Sequence, residues 1–313
     1  MKVAFFTEAG SKRGMGHLVR CQTITNEFIK NGNKVDFFLD SDIDYSYIYS
    51  DLHIFKWNNL LLEDFYDVIF IDSYEADEKI YESLAKCSKF SVAIDDYERI
   101  NYPAKMIINF AAKADEIFFK KRESEKEYLL GLDYIPIRDI FFNLEQKKEK
   151  KIFIMLGGSD TNNLSSTILE SFKNIPIKKV VVVNNENTKK LIDYKDVEVL
   201  FKPSEEKLVS HMISSSYAIT TASMSVYELS FLQIPTIIIA VSKNQIIGAP
   251  QIIQNRLAEF YIDITKSKWQ KLLEEKMRIL ISNKEKSKVF IDGLGTKRIY
   301  KKINEWIKKW KKF

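Results

Sequence analysis

Short, continuously apolar runs recur along the chain and alternate with stretches of helical periodicity. The runs lie at residues 3–7, 35–39, 68–71, 90–94 and 106–109, and again at 152–156, 180–183, 197–201, 218–220 and 236–240. They are rich in Val, Ile and Phe and lack the polar alternation of a strand with one wet face. They therefore predict strands covered on both sides. Residues 17–30, 77–87, 163–174, 205–214 and 224–232 have the length and spacing of crossover helices. Strand–helix repetition of this kind predicts doubly wound parallel sheets, an α/β fold.

The pattern occurs twice. The first set of strands stops near residue 109, and residues 142–151 form a polar, charged stretch before the next apolar run. This predicts an N-terminal Rossmann-like domain at residues 1–143. A C-terminal one follows at 150–313 and ends in a basic amphipathic helix. Two such halves predict a ligand in the cleft between them, at the C-terminal ends of both sheets.

Composition narrows the class. A chain of 313 residues fits two domains, at roughly 100–200 residues each. Cys21 and Cys87 are the only cysteines, too few for a disulfide framework, so a cytoplasmic, reducing setting is expected. No secretory signal pattern is read at the start. No apolar run reaches the roughly 18 residues of a membrane span. Residues 297–313 hold eight Lys or Arg against Glu305, so the tail carries +7 and the remainder −2 of the total +5. The body thus offers no electrostatic case for nucleic acid. In the tail, Ile299, Ile303, Trp306, Ile307, Trp310 and Phe313 share one helical face. Such a helix either docks on its own protein or makes a peripheral contact with a membrane or another protein.

Four turns carry candidate chemistry. The first, Gly14-Met15-Gly16-His17-Leu18-Val19-Arg20, follows the first strand and opens the first helix. Glycines there let backbone approach a ligand, and the helix start presents free N–H groups. It reads in three ways: a dinucleotide fingerprint with Asp40 as ribose acid, weakened by Val19 in place of a third glycine; a turn that carries His17 as a general base; or a turn merely capped by His17. The second, Gly157-Gly158-Ser159-Asp160-Thr161, is either an anion seat for a diphosphate or a tight capped turn. It lacks the Lys of a Walker loop. The third places Ser223 before a helix that carries Glu228, an acid suited to ribose hydroxyls or simply solvated. The fourth, Asn244-Gln245 after a strand, offers side-chain amides to sugar hydroxyls or is an ordinary loop. His53 and His211 read as structural, and Asp95-Asp96 as a cap or turn. No His, Cys or acid set has metal-ligand spacing, so neither a metal nor a cofactor is expected.

Taken together, these residues resemble the pseudaminic acid biosynthesis hydrolases that act on UDP-2,4-diacetamido-2,4,6-trideoxy-β-L-altropyranose, relatives of the MurG-type glycosyltransferases of the GT-B fold. The resemblance runs through Gly14-x-Gly16-His17-x-x-Arg20, Ile71-Asp72-Ser73-Tyr74, Asp95-Asp96 and Gly131-x-x-Tyr134-x-x-x-Arg138-x-x-Phe141. It continues through Gly157-Gly158-Ser159-Asp160, Ser223-x-x-x-Tyr227-Glu228, Asn244-Gln245 and Asp292-Gly293-x-Gly295-x-x-Arg298-Ile299. The resemblance implies inverting hydrolysis of a UDP-sugar without metal, with His17 as the base for water and Tyr74 lining the sugar site. It implies the 157–161 turn on the diphosphate, Glu228 on the ribose, Asn244 and Gln245 at the sugar end, and Gly14, Gly16, Arg20 and Ser223 among the substrate-binding residues. Ser73 stands where such proteins carry His, which leaves room for a glycosyltransferase that uses the same donor.

Overall fold

The computed structural model describes residues 1–10, 13–43, 52–142, 147–157, 164–183, 191, 194–241, 243–283 and 291–310. Its contacts divide into two compact units, residues 1–137 with 292–313, and residues 138–291.

The first unit opens with β1 (Lys2–Ala9), α1 (Gly16–Lys30), β2 (Lys34–Ser41), β3 (Leu52–Ile54) and β4 (Tyr66–Asp72). It continues with α2 (Glu78–Lys86), β5 (Ser88–Asp95), β6 (Met106–Asn109), α3 (Ala114–Ile117) and β7 (Glu127–Leu130). The strands form one sheet in the order β3-β2-β1-β4-β5-β6-β7, with every pairing parallel. The central strands are buried on both faces, as their unbroken apolar runs predict. Phe5 stacks on Phe70 at 4.4 Å, and Phe28 of α1 meets both rings edge-on.

The second unit repeats the plan. It contains β8 (Glu149–Met155), α4 (Leu164–Ser171), β9 (Lys178–Val183), β10 (Val197–Phe201) and α5 (Glu205–Ser214). After these come β11 (Ser215–Thr221), α6 (Met224–Phe231), β12 (Thr236–Ala240), α7 (Lys243–Gln254), β13 (Phe260–Asp263) and α8 (Trp269–Ser282). Its parallel sheet has the order β10-β9-β8-β11-β12-β13. Ile152, Ile154, Ile219, Ile237 and Ile239 from these strands pack with Phe172, Leu273 and Met277.

All ten predicted strands are present. The additional strands β3, β7 and β13 are short and lie at or next to sheet edges, where half-exposed residues break the apolar run. Asn244 and Gln245, for which an ordinary loop was one of two readings, instead lie in the first turn of α7. In the described residues no helix is long and apolar enough to cross a membrane.

The domain division differs from the predicted 1–143 and 150–313. The charged run that suggested a linker is partly strand: Glu149 and Lys150 are the exposed start of β8. The chain passes between units at Ile137–Arg138 and returns at Ile291–Asp292. The terminal helix α9 (Gly295–Trp310) therefore belongs to the first unit. Its Ile299, Ile303 and Ile307 are buried. Tyr300 meets Phe28 at 5.1 Å and Trp306 meets Phe90 at 4.1 Å. The apolar face offered to a membrane in one sequence reading is thus covered by α1 and the sheet, while Lys297, Lys301, Lys302, Lys308 and Lys309 stay exposed. Phe313 lies outside the described residues.

Gly295 makes this docking possible. A Cβ there would stand 2.1 Å from the carbonyl oxygen of Ile135 and 2.6 Å from the carbonyl carbon of Tyr134. Both are backbone atoms, so no side chain can rotate away. Gly295→Ala is expected to cost about 1–3 kcal/mol, the range for overpacking, in urea unfolding. Lys297→Ala, on the exposed face, should stay within about 0.5 kcal/mol. Equal stability of the two variants would contradict the close approach.

Candidate active site

Three strands of the first unit end in acids. Register places Thr7 of β1 beside Asp72 of β4, and Asp72 beside Ile94 of β5. Glu8, Asp72 and the pair Asp95-Asp96 therefore gather at the C-terminal edge of the sheet, where doubly wound folds hold ligands. Helix α1 faces this edge with His17, Arg20 and Cys21, which share one side at helical spacing.

Arg20 joins the acids. Its Nε and Nη2 donate to the two oxygens of Asp72 at 2.6 Å each, while Nη1 and Nη2 donate to Asp96 at 2.6 and 3.1 Å. The side chain is 4% exposed, so these are desolvated, charge-assisted bonds of the strong kind. Burial alone would push the Asp96 carboxyl up, but the Arg20 guanidinium overrides it and holds the group below its ordinary 3.8, at about 2. Arg20, expected to touch substrate, is thus occupied by two carboxylates and acts as a clamp.

His17 sits on the same assembly. Its Nδ1 lies 3.3 Å from Asp72 Oδ1 and 3.4 Å from the Asp72 carbonyl oxygen. Both neighbours are acceptors, so they select the tautomer protonated at Nδ1 and leave Nε2 as a lone-pair acceptor. The His17 ring meets Tyr74 edge-on at 4.3 Å. The Tyr74 hydroxyl donates to Asp96. Burial and the Asp96 carboxylate push that phenol far up, so it stays a neutral donor.

Glu8, 3% exposed, fixes the loop that carries Tyr74. It accepts from Trp57 Nε1 at 2.8 Å, from the Tyr74 backbone N–H at 2.9 Å and from the Ser73 hydroxyl. Ser73 Oγ in turn accepts the N–H groups of Glu75 and Ala76 at 2.9 Å. Gly14, at φ +75°, closes the preceding turn through a paired bridge to Gly10. Gly16 starts α1, whose first turn carries no acid and no side-chain cap. Asp40, the candidate ribose acid, is held by Lys56 at 2.7 Å, the Trp57 N–H at 3.1 Å and Arg13 at 3.1 Å. The dinucleotide reading loses its acceptor.

In the second unit Gly157 takes φ +84°, with Thr221 Oγ1 3.7 Å from the position a Cβ would occupy. Gly158, Ser159, Asp160 and Thr161 lie outside the described residues. Ser223 precedes α6 and leaves its N-terminus without a side-chain cap; its Oγ instead lies 3.3 Å from the Thr221 hydroxyl. Glu228 is 4% exposed rather than solvated. Arg138 grips it bidentately at 2.7 and 3.0 Å and also reaches Glu205 at 2.7 Å. Asn244 lies in α7, and Gln245 Oε1 accepts the Val241 N–H at 3.0 Å.

Sequence reasoning brought out His17 and Arg20, read Asp95-Asp96 only as a cap or turn, and gave no role to Glu8 or Arg138. Glu8 and Asp96 lie one and two residues after predicted strands, a signal that was available. No three His, Cys, Asp or Glu side chains among the described residues converge as metal ligands.

The two Rossmann-like units, each a parallel sheet with interleaved helices, define the GT-B fold. UDP-GlcNAc 2-epimerase of Methanocaldococcus jannaschii, solved with UDP-GlcNAc and UDP, matches it with a TM-score of 0.68 at 12% identity, covering 97% of this chain and 100% of that one. MurG of Acinetobacter baumannii matches with a TM-score of 0.62 at 10% identity and full coverage of both chains. No protein-family model matches. Among curated sequences, the chain is 28% identical over 263 residues to the pseudaminic acid cytidylyltransferase and UDP-2,4-diacetamido-2,4,6-trideoxy-β-L-altropyranose hydrolase of Helicobacter pylori, covering 80% of this chain and 46% of that protein. It is 25% identical over 269 residues to an uncharacterized protein of Methanocaldococcus jannaschii, covering 76% and 55%. The chain thus spans about half the length of the curated relatives it matches.

The Asp96 carboxylate yields a pH test. Its folded value lies below the unfolded one, so its stabilisation is complete at neutral pH and is lost as pH falls from about 4 through about 2. Wild type should therefore exceed Asp96→Asn in thermal stability at pH 7 by a margin that narrows between pH 4 and pH 3. A margin constant over that interval would show that the Arg20–Asp96 pair contributes nothing.

Proposed function

We propose that the chain hydrolyses a UDP-linked 2,4-diacetamido-2,4,6-trideoxyhexose to free sugar and UDP, with inversion, in the manner of pseudaminic acid biosynthesis. The observation that carries this reading is the His17–Asp72 pair, which orients an imidazole with a free acceptor nitrogen at the edge of the sheet. The relative named for this reaction supports the choice of sugar.

In the proposed step His17 Nε2 takes a proton from water as the water oxygen bonds to the anomeric carbon. The bond from that carbon to the phosphate oxygen breaks, and UDP leaves with the electron pair. Glycosidases need an acid because an alkoxide leaves poorly. UDP is already a stable anion, so donors around its phosphates suffice. The second unit supplies the nucleotide contacts in this reading. The turn at 157–161 and the α6 N-terminus near Ser223 take the diphosphate. Glu228 takes the ribose, and Asn244 and Gln245 the sugar end.

Proton NMR of UDP-2,4-diacetamido-2,4,6-trideoxy-β-L-altropyranose with the protein, in EDTA, should show the anomeric signal of the product inverted. In ¹⁸O-water the label should enter the sugar and not UDP. His17→Ala should lower turnover by roughly 10²–10⁴-fold and retain UDP affinity. Near-full activity of that variant removes His17 from the mechanism. Fast transfer to an added sugar acceptor with slow hydrolysis identifies a glycosyltransferase instead.

The ribose contact has its own test. Glu228→Gln removes the charge while keeping the shape, and should weaken UDP binding on the order of tenfold to a hundredfold in calorimetric titration. Melting curves must accompany it, because the change also loosens the Arg138 fork. Unchanged UDP affinity in a folded variant would move the ribose elsewhere.

A further inference from the structure

Tyr97 follows Asp96 on the turn after β5. Tyr97 is 43% exposed and Tyr74 42%. Their centroids lie 5.7 Å apart with planes tilted by 53°, and Tyr74 is the ring that meets His17. Two neighbouring aromatic rings left open beside a candidate base form an apolar surface where the sheet edge is otherwise charged.

The turn is rigidly built. Asp95 accepts the N–H groups of Glu98 and Arg99 at 2.6 and 3.2 Å, the Tyr102 hydroxyl at 2.6 Å and Asn109 Nδ2 at 3.2 Å. Arg99 crosses to the loop carrying Tyr74 and donates to the carbonyls of Ser73 and Ala76 at 3.1 and 2.5 Å. The two tyrosines thus sit on loops tied to each other. Between them Asp96 keeps 31% of its side-chain surface exposed, and as a carboxylate it can only accept.

We propose that Tyr97 and Asp96 extend the sugar site, which the resemblance already gives to Tyr74, into a subsite for the sugar ring of the substrate. The tyrosine rings take the C–H face of the hexopyranose and its deoxy methyl group, and Asp96 accepts from an amide N–H or hydroxyl. An aromatic face is negative and suits weakly positive C–H groups. An apolar lining with one placed acceptor is the usual composition of a small-ligand pocket. A surface prepared before binding loses little ordering entropy when the sugar arrives. This inference deepens the hydrolase reading and rests on it.

The probe is UDP-2,4-diacetamido-2,4,6-trideoxy-β-L-altropyranose. Tyr97→Ala should raise KM about tenfold with little change in kcat, and leave competitive inhibition by UDP alone unchanged, since UDP lacks the sugar. Tyr97→Phe, which keeps the ring, should restore the lost affinity. Saturation-transfer NMR in a His17→Ala background separates binding from turnover. Sugar ring and methyl protons should be saturated when Tyr97 is present and lose saturation in the Tyr97→Ala double variant, while uracil and ribose protons are saturated in both. Equal saturation of sugar protons in both proteins, or none in either, overturns the subsite. If wild type turns over no UDP-sugar yet sugar saturation depends on Tyr97, the subsite stands and the hydrolase reading falls.

Discussion

The Arg20 guanidinium is the part on which the first unit's site depends. It is almost wholly buried, and a buried cation without partners is untenable. Its partners, Asp72 and Asp96, come from the ends of different strands, and leaving the buried Asp72 carboxylate unpaired would be equally costly. The clamp therefore fixes helix α1 against the ends of β4 and β5. Everything chemical hangs from it. Asp72 orients His17, Asp96 holds Tyr74, and Tyr97 comes next on the Asp96 turn. Removing the arginine would leave the buried Asp72 carboxylate without its cation.

Glu8 adds an independent restraint. It draws donors from Trp57, Ser73 and the Tyr74 backbone, so the Tyr74 loop is anchored at both its main chain and its hydroxyl. Ser73 makes that anchor local. One small hydroxyl donates to Glu8 and caps two N–H groups of the following turn. A larger side chain at this position would have to find another way to satisfy the same backbone groups.

The sheets were legible in the sequence because doubly covered parallel strands must be apolar along their whole length, and that demand leaves a mark at every residue. Edge strands β3, β7 and β13 escaped because one side of them is wet. The C-terminal helix showed its apolar face, but periodicity carries no address. Only the packing of Tyr300 on Phe28 and of Trp306 on Phe90 assigns it to the first unit. His17 was visible as a rare residue at a strand-to-helix turn. Asp96 was not, because an acid after a strand looks the same whether it caps a turn or closes an ion pair across 76 positions of sequence. Arg138 and Glu228 are separated by 90 positions, and their fork was invisible for the same reason.

The two units differ in what they offer a ligand, and the proposed reaction needs that difference. Attack of water on a sugar carbon calls for acceptors: one to take the proton and others to orient hydroxyl and amide hydrogens. The first unit's site is built from acceptors, His17 Nε2 and the Asp96 carboxylate, while its nearest cation, Arg20, is fully engaged. Departure of a diphosphate calls for donors. In the second unit the corresponding strand ends carry Gly157, Thr221 and Ser223, small residues beside a helix start with no side-chain cap. Had hydroxyls replaced the acids in the first unit, the buried Arg20 guanidinium would lose its counter-charges. In the proposed reaction, activation of water therefore falls to the first unit and the diphosphate contacts to the second.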